Sequence, residues 1–329
     1  MKIPINKNKI VCPDGTAEIR ALMKPESEEQ LKSLGEFVWY DDNPETSEDY
    51  LQRVHDADGI ILNWDLPSQL LESCKKLKII SFMGADPRKF VDLPKATGMG
   101  IAVSNTPSYA DEEVATHAMA LILNCAKRIV RFSNEMHQGI YEQGCFTAGF
   151  RGKILGLVGL GGIGAEVARL AQAFGMNVLC WTQNPTQERA CQHGVEFVAL
   201  EELFRQADIV SLHVPQKPET EMMITRDLLQ SMKQSAIFIN TARAELVDNS
   251  ALAELLKDGK LSAAGLDVHD QEPISPDDPF LGIENAVLTP HVGANTARAQ
   301  GNIMKIAVDN LAAFFSGRPE NVLNFEALF

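Results

Sequence analysis

A glycine-rich stretch, residues 159–164, offers the clearest chemistry in this sequence. It reads Gly-Leu-Gly-Gly-Ile-Gly, and a strand-like run at residues 153–159 leads into it while a helical pattern follows. In that setting Gly159 makes the tight turn, Gly161 lets the backbone approach a pyrophosphate, and Gly164 lets the helix pack close to the strand. The phosphates would lie at the helix N-terminus, where unpaired N–H groups favour anions. The predicted dinucleotide contacts are Gly159, Gly161, Gly162, Ile163 and Gly164.

The ribose-binding position of this predicted site carries no acid. A carboxylate about 20 residues beyond the glycine loop usually binds both ribose hydroxyls, and it repels a 2′-phosphate. Here the strand-like run at residues 177–181 ends directly before Thr182, and Gln183 and Asn184 follow. Because that repulsion is absent, we expect a relaxed or NADP(H)-leaning preference. Arg189 is the nearest arginine. It falls in the next predicted helix, so the sequence does not decide whether its side chain reaches a 2′-phosphate.

Two series of alternating strands and helices must position this loop. The alternation predicts parallel sheets covered by helices, so we expect an α/β protein. Residues 111–137 form one long helical pattern between the series, and residues 296–315 form a final helix that we expect to return to the first domain. The first series has strand-like runs at residues 9–13, 37–42, 59–64, 77–84 and 100–107. The second series has them at residues 153–159, 177–181, 195–199, 208–214, 236–242, 263–268 and 286–291.

The net charge of −14 limits the classes of partner. Nucleic acids bind basic surfaces, so we expect no nucleic-acid partner. An anionic substrate would need a local positive pocket that works against the overall field. No stretch approaches about 18 apolar residues, and the opening MKIPINKNKI lacks the apolar segment of a signal peptide. We therefore expect no membrane partner.

The cysteines indicate a reducing compartment. The six of them lie scattered through apolar runs, and no Cys/His cluster has the spacing of a zinc site. Cysteines in such runs behave as small buried hydrophobes of a reduced cytosol. A chain of 329 residues is also long enough for two domains. We expect a two-domain cytoplasmic protein that holds no metal.

Beyond the glycine loop, several stretches resemble the D-isomer-specific 2-hydroxyacid dehydrogenase family. The order and spacing of these stretches agree with the family as well as their residues do, from about residue 9 to about residue 323. Within the family, the chain is similar to the short glyoxylate and hydroxypyruvate reductases, which carry no regulatory domain. The stretches that carry the resemblance are residues 81–93, 102–115, 211–220, 238–252, 263–273 and 288–296.

The resemblance implies two Rossmann-like, doubly wound parallel-sheet domains. A flavodoxin-like substrate domain would comprise residues 1–100 and 296–329, and an inserted NAD(P)-binding domain would comprise residues 101–295. The active site would lie in the cleft between them. The family also implies a homodimer built largely through the segment that follows residue 110.

The resemblance further implies three catalytic residues for the reduction of a 2-keto acid. Arg243, in the sequence INTAR, would bind the substrate carboxylate with its planar guanidinium fork. His291, in TPHVGA, would act as the general acid–base, because imidazole titrates near neutral pH. Glu272, which precedes Pro273, would hydrogen-bond His291 and keep it protonated. Formate-oxidising relatives carry Gln at this place, so Glu272 argues against that branch.

The resemblance also implies substrate and cofactor contacts at positions whose residue types alone indicate little about their role. Gly84 and Ala85 would offer backbone N–H groups to the substrate carboxylate. The residues after them, Asp86-Pro87-Arg88, depart from the commoner family pattern, so the substrate preference is expected to be unusual. The further cofactor contacts would be Thr182 at the ribose, His213 and Pro215 at the adenosine end, Thr241 and Ala242 along the cofactor, and Asp267 at the nicotinamide carboxamide.

Two functions remain open at the level of the sequence. The first is an NAD(P)-dependent D-2-hydroxyacid dehydrogenase that acts on glyoxylate, hydroxypyruvate or another small 2-keto acid. The second is a redox-sensing, NAD(H)-binding regulatory protein on the same fold, since such proteins can retain the three catalytic residues. The compact chain lacks the disordered tails that often accompany regulatory partners, which favours the enzyme.

Overall fold

The computed structural model describes residues 8–328, and they form two compact α/β units. The first unit contains the described residues up to Ala110 together with those from Asn295 onward, and the second unit is Asp111–Ala294. Each unit is built on one parallel sheet, which confirms the predicted α/β class. The first unit extends beyond the predicted boundary at residue 100, because the strand that follows this point pairs with the first sheet.

The sheet of the first unit has five strands in the order β2-β1-β3-β4-β5. This is the order of a flavodoxin-like doubly wound fold. Every residue of β3 and β4 is buried, as expected for central parallel strands that helices cover on both faces. The strands are β1 (Asn8–Cys12), β2 (Gly35–Trp39), β3 (Gly59–Leu62), β4 (Ile79–Phe82) and β5 (Ala102–Ser104).

Helices from both ends of the chain cover this sheet. The last long helix begins after Thr296, whose hydroxyl accepts a hydrogen bond from the backbone N–H of Ala299 at 3.1 Å. Its buried face packs on β4, where the Ser81 hydroxyl donates to the carbonyl of Ala307 at 2.9 Å. The helices are α1 (Ala17–Ala21), α2 (Pro25–Leu34), α3 (Ser47–Val54), α4 (Ser68–Leu71), α5 (Leu93–Gly98), α13 (Ala297–Phe315) and α14 (Phe325–Leu328).

The sheet of the second unit has seven strands in the order β12-β11-β10-β9-β6-β7-β8. Six of them follow the order of a dinucleotide-binding fold, which reverses direction between β6 and β9, and β12 adds an edge strand. The strands are β6 (Ile154–Val158), β7 (Asn177–Trp181), β8 (Glu196–Phe197), β9 (Ile209–Leu212), β10 (Ile237–Asn240), β11 (Ala263–Leu266) and β12 (Ala286–Leu288).

The second sheet carries helices on both faces, with α6 and α8 on one and α10 to α12 on the other. The expectation of one continuous helix over residues 111–137 is wrong. Arg128 has a left-handed backbone (φ 54°), and the amide oxygen of Asn124 accepts from Val130 N–H at 3.0 Å, which starts a new helix. The helices are α6 (Asp111–Lys127), α7 (Ile129–His137), α8 (Gly162–Ala173), α9 (Gln187–His193), α10 (Leu200–Gln206), α11 (Arg226–Ser231) and α12 (Asn249–Lys257).

None of the helices in the described part of the chain is both long and apolar enough to cross a membrane.

Candidate active site

The three residues predicted for catalysis follow neighbouring strands of the second sheet. Arg243 comes after β10, Glu272 after β11 and His291 after β12, and β11 pairs with both of the other strands. The carboxyl ends of parallel strands meet at one edge of a sheet, which is where open α/β folds bind ligands. The fold therefore gathers the three residues on one edge of this unit.

Glu272 and His291 are in direct contact. His291 Nδ1 lies 2.7 Å from Glu272 Oε2, so the ring donates its Nδ1 proton to the carboxylate. The other oxygen of Glu272 accepts the backbone N–H of His269 at 3.1 Å, which orients the carboxylate. With Nδ1 engaged in this way, His291 Nε2 is the ring atom that can exchange a proton with a substrate.

The backbone that presents His291 is strained. His291 has a φ of 53°, in the left-handed region that residues other than glycine rarely adopt. Such a conformation costs about 1–3 kcal/mol and persists only where the surroundings enforce it. Asp267 supplies that constraint, because its carboxylate accepts Val292 N–H at 3.0 Å, Gly293 N–H at 2.8 Å and the Thr289 hydroxyl at 2.6 Å.

Asp267 itself is 2% exposed and fully engaged. Burial alone would raise the pKa of this carboxyl, but hydrogen bonds from His117, Thr289 and two backbone N–H groups outweigh burial and hold its pKa below the usual value. His117 Nε2, on α6, lies 3.3 Å from Asp267 Oδ1. Sequence reasoning missed both this network and His117, which no motif marked. The predicted contact of Asp267 with the nicotinamide carboxamide stays a prediction.

Arg243 is partly buried, and its guanidinium makes no ion pair within residues 8–328. One guanidinium N–H donates to the carbonyl of Ala242 at 2.6 Å. The Asn240 side chain fixes the local backbone, since it accepts Ala242 N–H at 2.9 Å and donates to the carbonyl of Arg243 at 2.8 Å. The positive charge of Arg243 therefore remains available to a carboxylate.

The glycine loop has the geometry that a dinucleotide requires. Gly159 has a φ of 105°, and a Cβ at Gly164 would lie 2.3 Å from the carbonyl oxygen of Gly159. At Gly161 a Cβ would meet nothing within 4 Å, so open space lies beside the loop. α8 starts with Gly162 and Ile163, and no side chain caps its first N–H groups, which leaves them for an anion.

A second observation supports the fit to a cofactor. The Thr241 hydroxyl is buried without a hydrogen-bond partner among the residues that the structure describes, next to the partly buried Ala242. Buried hydroxyls are almost always paired, so an unpaired one beside the strand ends points to a missing ligand. Together with the uncapped helix, it indicates that these residues fit a dinucleotide.

A cavity of about 250 Å³ adjoins the glycine loop, and it is lined by Thr182, predicted at the ribose, and by His213 and Pro215, predicted at the adenosine end. Burial lowers the pKa of His213 to about 4, so its ring is neutral at pH 7. Arg189 does reach this cavity, where it donates to the carbonyls of Leu160 at 2.5 Å and Asn184 at 2.6 Å. Lys217, which the sequence did not single out, also lines it.

Gly84 and Ala85 lie in the first unit, in the loop after β4. Their carbonyls are held by Thr106 N–H at 3.0 Å and by the Asn105 side chain at 2.6 Å. In the unusual segment that follows, Arg88 donates to both carboxylate oxygens of Asp86, from Nε at 2.8 Å and from Nη2 at 2.5 Å. The charge of Arg88 is therefore matched locally. The role of Gly84 and Ala85 stays a prediction.

Comparison with known proteins decides the class. Residues 119–293, more than half of the chain, match the family model described as "D-isomer specific 2-hydroxyacid dehydrogenase, NAD binding domain". The chain belongs to this family. It is thus an enzyme of the NAD(P)-dependent D-2-hydroxyacid dehydrogenase family, and its second unit contains the family's NAD-binding domain.

Relatives of this dehydrogenase are similar over most of their length. A glyoxylate reductase of Korarchaeum cryptofilum is 37% identical over 88% of this chain and 90% of the relative. A hydroxypyruvate reductase of Blautia hydrogenotrophica is 34% identical over 89% and 94%. Among solved structures, an acyclic imino acid reductase in complex with NADPH and D-Arg superposes with a TM-score of 0.83 at 28% identity, covering 96% of this chain and 99% of that one.

Proposed function

We propose that this dehydrogenase reduces a small 2-keto acid, such as glyoxylate or hydroxypyruvate, to the D-2-hydroxy acid. The observation that carries the proposal is the contact between His291 and Glu272, 2.7 Å long, at the carboxyl edge of the second sheet. The relatives named glyoxylate reductase and hydroxypyruvate reductase support the substrate class. The redox-sensing alternative has no observation of its own in its favour.

In the proposed reaction Arg243 binds the substrate carboxylate, because its guanidinium has no competing carboxylate among the described residues. His291 holds a proton at Nε2 and passes it to the carbonyl oxygen of the substrate. Glu272 stabilises the imidazolium and keeps the ring in one orientation. A bound reduced nicotinamide supplies the hydride. By resemblance to the family, Gly84 and Ala85 contribute backbone N–H groups to the carboxylate.

A panel of 2-keto acids assayed with NADH and with NADPH tests the proposal. We expect turnover of small 2-keto acids, and we expect Arg243→Gln to raise the KM for them about 100-fold with little change in the KM for the cofactor. Arg205→Gln, which removes an exposed arginine paired with Glu202, is the matched control and should leave both values unchanged. Absence of turnover across the panel would reject the proposed function.

We further propose that the cofactor preference leans toward NADP(H). Thr182 is uncharged and so does not repel a 2′-phosphate, and the positively charged Arg189 and Lys217 line the same cavity. None of the described residues lining it is an aspartate or glutamate, so the local field favours an anion against the overall charge of −14. The NADPH bound in the related imino acid reductase agrees with this preference.

Substitutions at the two key positions should move the preference in opposite ways. Arg189→Gln is expected to lower kcat/KM for NADPH about tenfold and to leave that for NADH nearly unchanged, because only NADPH loses a charge-assisted hydrogen bond. Thr182→Asp restores the repulsion of a 2′-phosphate and is expected to favour NADH. A wild-type ratio of kcat/KM for NADH over NADPH well above about ten would contradict the proposal.

We also propose a homodimer in the cytoplasm. Exposed apolar side chains lie on α7 and in the segment after it, where the family resemblance expects the subunit contact, and a second copy would cover them. The cysteines are all free in the structure and four of them are buried, which suits a reducing compartment. The exposed apolar side chains are Ile129, Val130, Met136, Ile140, Tyr141 and Phe146.

A further inference from the structure

The first unit contains a cavity of about 420 Å³ that the catalytic proposal does not use. It lies at the carboxyl edge of the first sheet, because Asp14 follows β1 while Trp64 and Asp65 follow β3. Glu45 and Tyr50 also line it. Its location is where a doubly wound sheet binds ligands.

The charge inside this cavity is negative. Asp14, Glu45 and Asp65 line it, and none of the described lining residues is a lysine or an arginine. The nearby guanidinium of Arg53 does not offset them, since it is paired with Asp42 at 3.1 Å and with Asp49 at 2.9 Å. The cavity therefore attracts cations.

Asp14 is a buried residue of the cavity lining. It is 2% exposed, and its carboxylate accepts the backbone N–H groups of Asn63 at 3.1 Å and Trp64 at 2.7 Å. Burial nevertheless raises the pKa of Asp14 to about 6, so these two hydrogen bonds do not fully replace water around the charge. A cation beside Asp14 would supply the missing stabilisation.

The hydroxyl of Tyr50 points to a ligand independently of the acids. Tyr50 is 6% exposed, lines the cavity, and its phenol oxygen has no hydrogen-bond partner among residues 8–328. Burial, together with the carboxylates of Asp14 and Asp65, raises the pKa of this phenol well above its usual value, so it stays protonated. An unpaired buried hydroxyl costs about 1–3 kcal/mol and is rare in native proteins.

We propose that this cavity binds an organic cation, a guanidinium or alkylammonium group. Its N–H groups donate to the carboxylates of Asp14 and Asp65 and to the phenol oxygen of Tyr50. The half-exposed indole of Trp64 offers a face on which a planar cation stacks. A metal ion fits less well, because no group of three acidic, histidine or cysteine side chains in the described part of the chain is close enough to hold one.

The cation is the distal end of the substrate, a step that rests on the proposed function. β4 is the neighbour of β3, so the loop at Gly84 and Ala85, expected to bind the substrate carboxylate, lies on the same edge of the same sheet as the cavity. The structure thus points to 2-keto acids whose side chain ends in a guanidinium or ammonium group.

Calorimetric titration of the full chain with methylguanidinium tests the site itself, and urea serves as a neutral ligand of similar shape. We expect saturable binding of methylguanidinium only, with a Kd about tenfold higher in Asp65→Asn and in Tyr50→Phe. Glu201→Gln removes one exposed negative charge from the second unit and should leave the Kd unchanged. Equal binding of urea would overturn the cation site. A Kd for methylguanidinium that is the same in Tyr50→Phe, Asp65→Asn and the wild type would overturn it as well.

Kinetics separate the substrate assignment from the proposed function. We expect kcat/KM for 2-oxo-5-guanidinovalerate to exceed that for the neutral 2-oxohexanoate about tenfold, and we expect Asp65→Asn to abolish the difference. Preference for the neutral acid alongside intact methylguanidinium binding would overturn the substrate assignment alone. Failure to reduce any 2-keto acid would instead reject the proposed function, while the titration still decides the cation site.

Discussion

Replacing His291 with alanine is expected to lower kcat for 2-keto acid reduction about 10³-fold, the usual contribution of a general acid–base. The reason is that His291 Nε2 supplies the proton, while Nδ1 is held by Glu272 at 2.7 Å. Cofactor binding should survive, because the glycine loop and the cavity at Thr182 belong to other strands. Steady-state kinetics and a fluorescence titration with NADPH measure the two effects separately.

A double-mutant cycle sharpens this prediction. Since Glu272 acts through His291, Glu272→Gln should cost far less once His291 is already alanine than it does in the wild-type enzyme. His55→Ala, which removes an exposed histidine at the end of α3, is the control and should leave kcat unchanged. Near-wild-type turnover by His291→Ala, or additive effects in the cycle, would show that the proton comes from another group.

Replacing Asp267 with alanine is expected to lower the free energy of unfolding by about 3 kcal/mol. The substitution leaves the backbone N–H groups of Val292 and Gly293 and the hydroxyl of Thr289 without their acceptor. It also removes the constraint on the left-handed backbone of His291, so activity should fall together with stability. Urea denaturation followed by circular dichroism measures the first effect.

The same residue predicts a dependence on pH. Because hydrogen bonds hold the pKa of folded Asp267 below its value in the unfolded chain, its contribution to stability is fully present above about pH 4 and is lost as the pH falls through the folded pKa. Asp267→Ala should therefore approach the wild type in stability only as the pH falls through the folded pKa of Asp267, which lies below its usual value. Asp258→Ala, which removes an exposed ion pair with Lys260, should change stability by less than about 1 kcal/mol. Equal losses in both variants would refute the bracing role of Asp267.

Local patterns predicted most of the secondary structure. The strand-like runs contain the twelve strands found in residues 8–328, except the start of β1 and of β2, because parallel strands buried on both faces read as continuous apolar runs. The break between α6 and α7 escaped prediction, since Arg128 is an ordinary helix-forming residue and its left-handed backbone has no local signal.

The candidate site was also predicted only in part from the sequence. The sequence alone pointed to the glycine loop, to Thr182 and, through resemblance to the family, to Arg243, Glu272 and His291. The geometry that makes them a site depends on loops that are distant along the chain. Contacts of this kind depend on packing rather than on local propensity, so no pattern of residue types predicts them.

What the sequence by itself determined is the order of elements, the parallel sheets and the chemistry of the strand ends, because hydrophobic period and glycine spacing act locally. Only the tertiary structure decided that Asp267 braces the turn at His291, that Arg189 reaches the carbonyl of Leu160, and that the Tyr50 hydroxyl is buried without a partner. Each of these depends on strands and helices brought together by burial of the two sheets, which is a property of the whole chain.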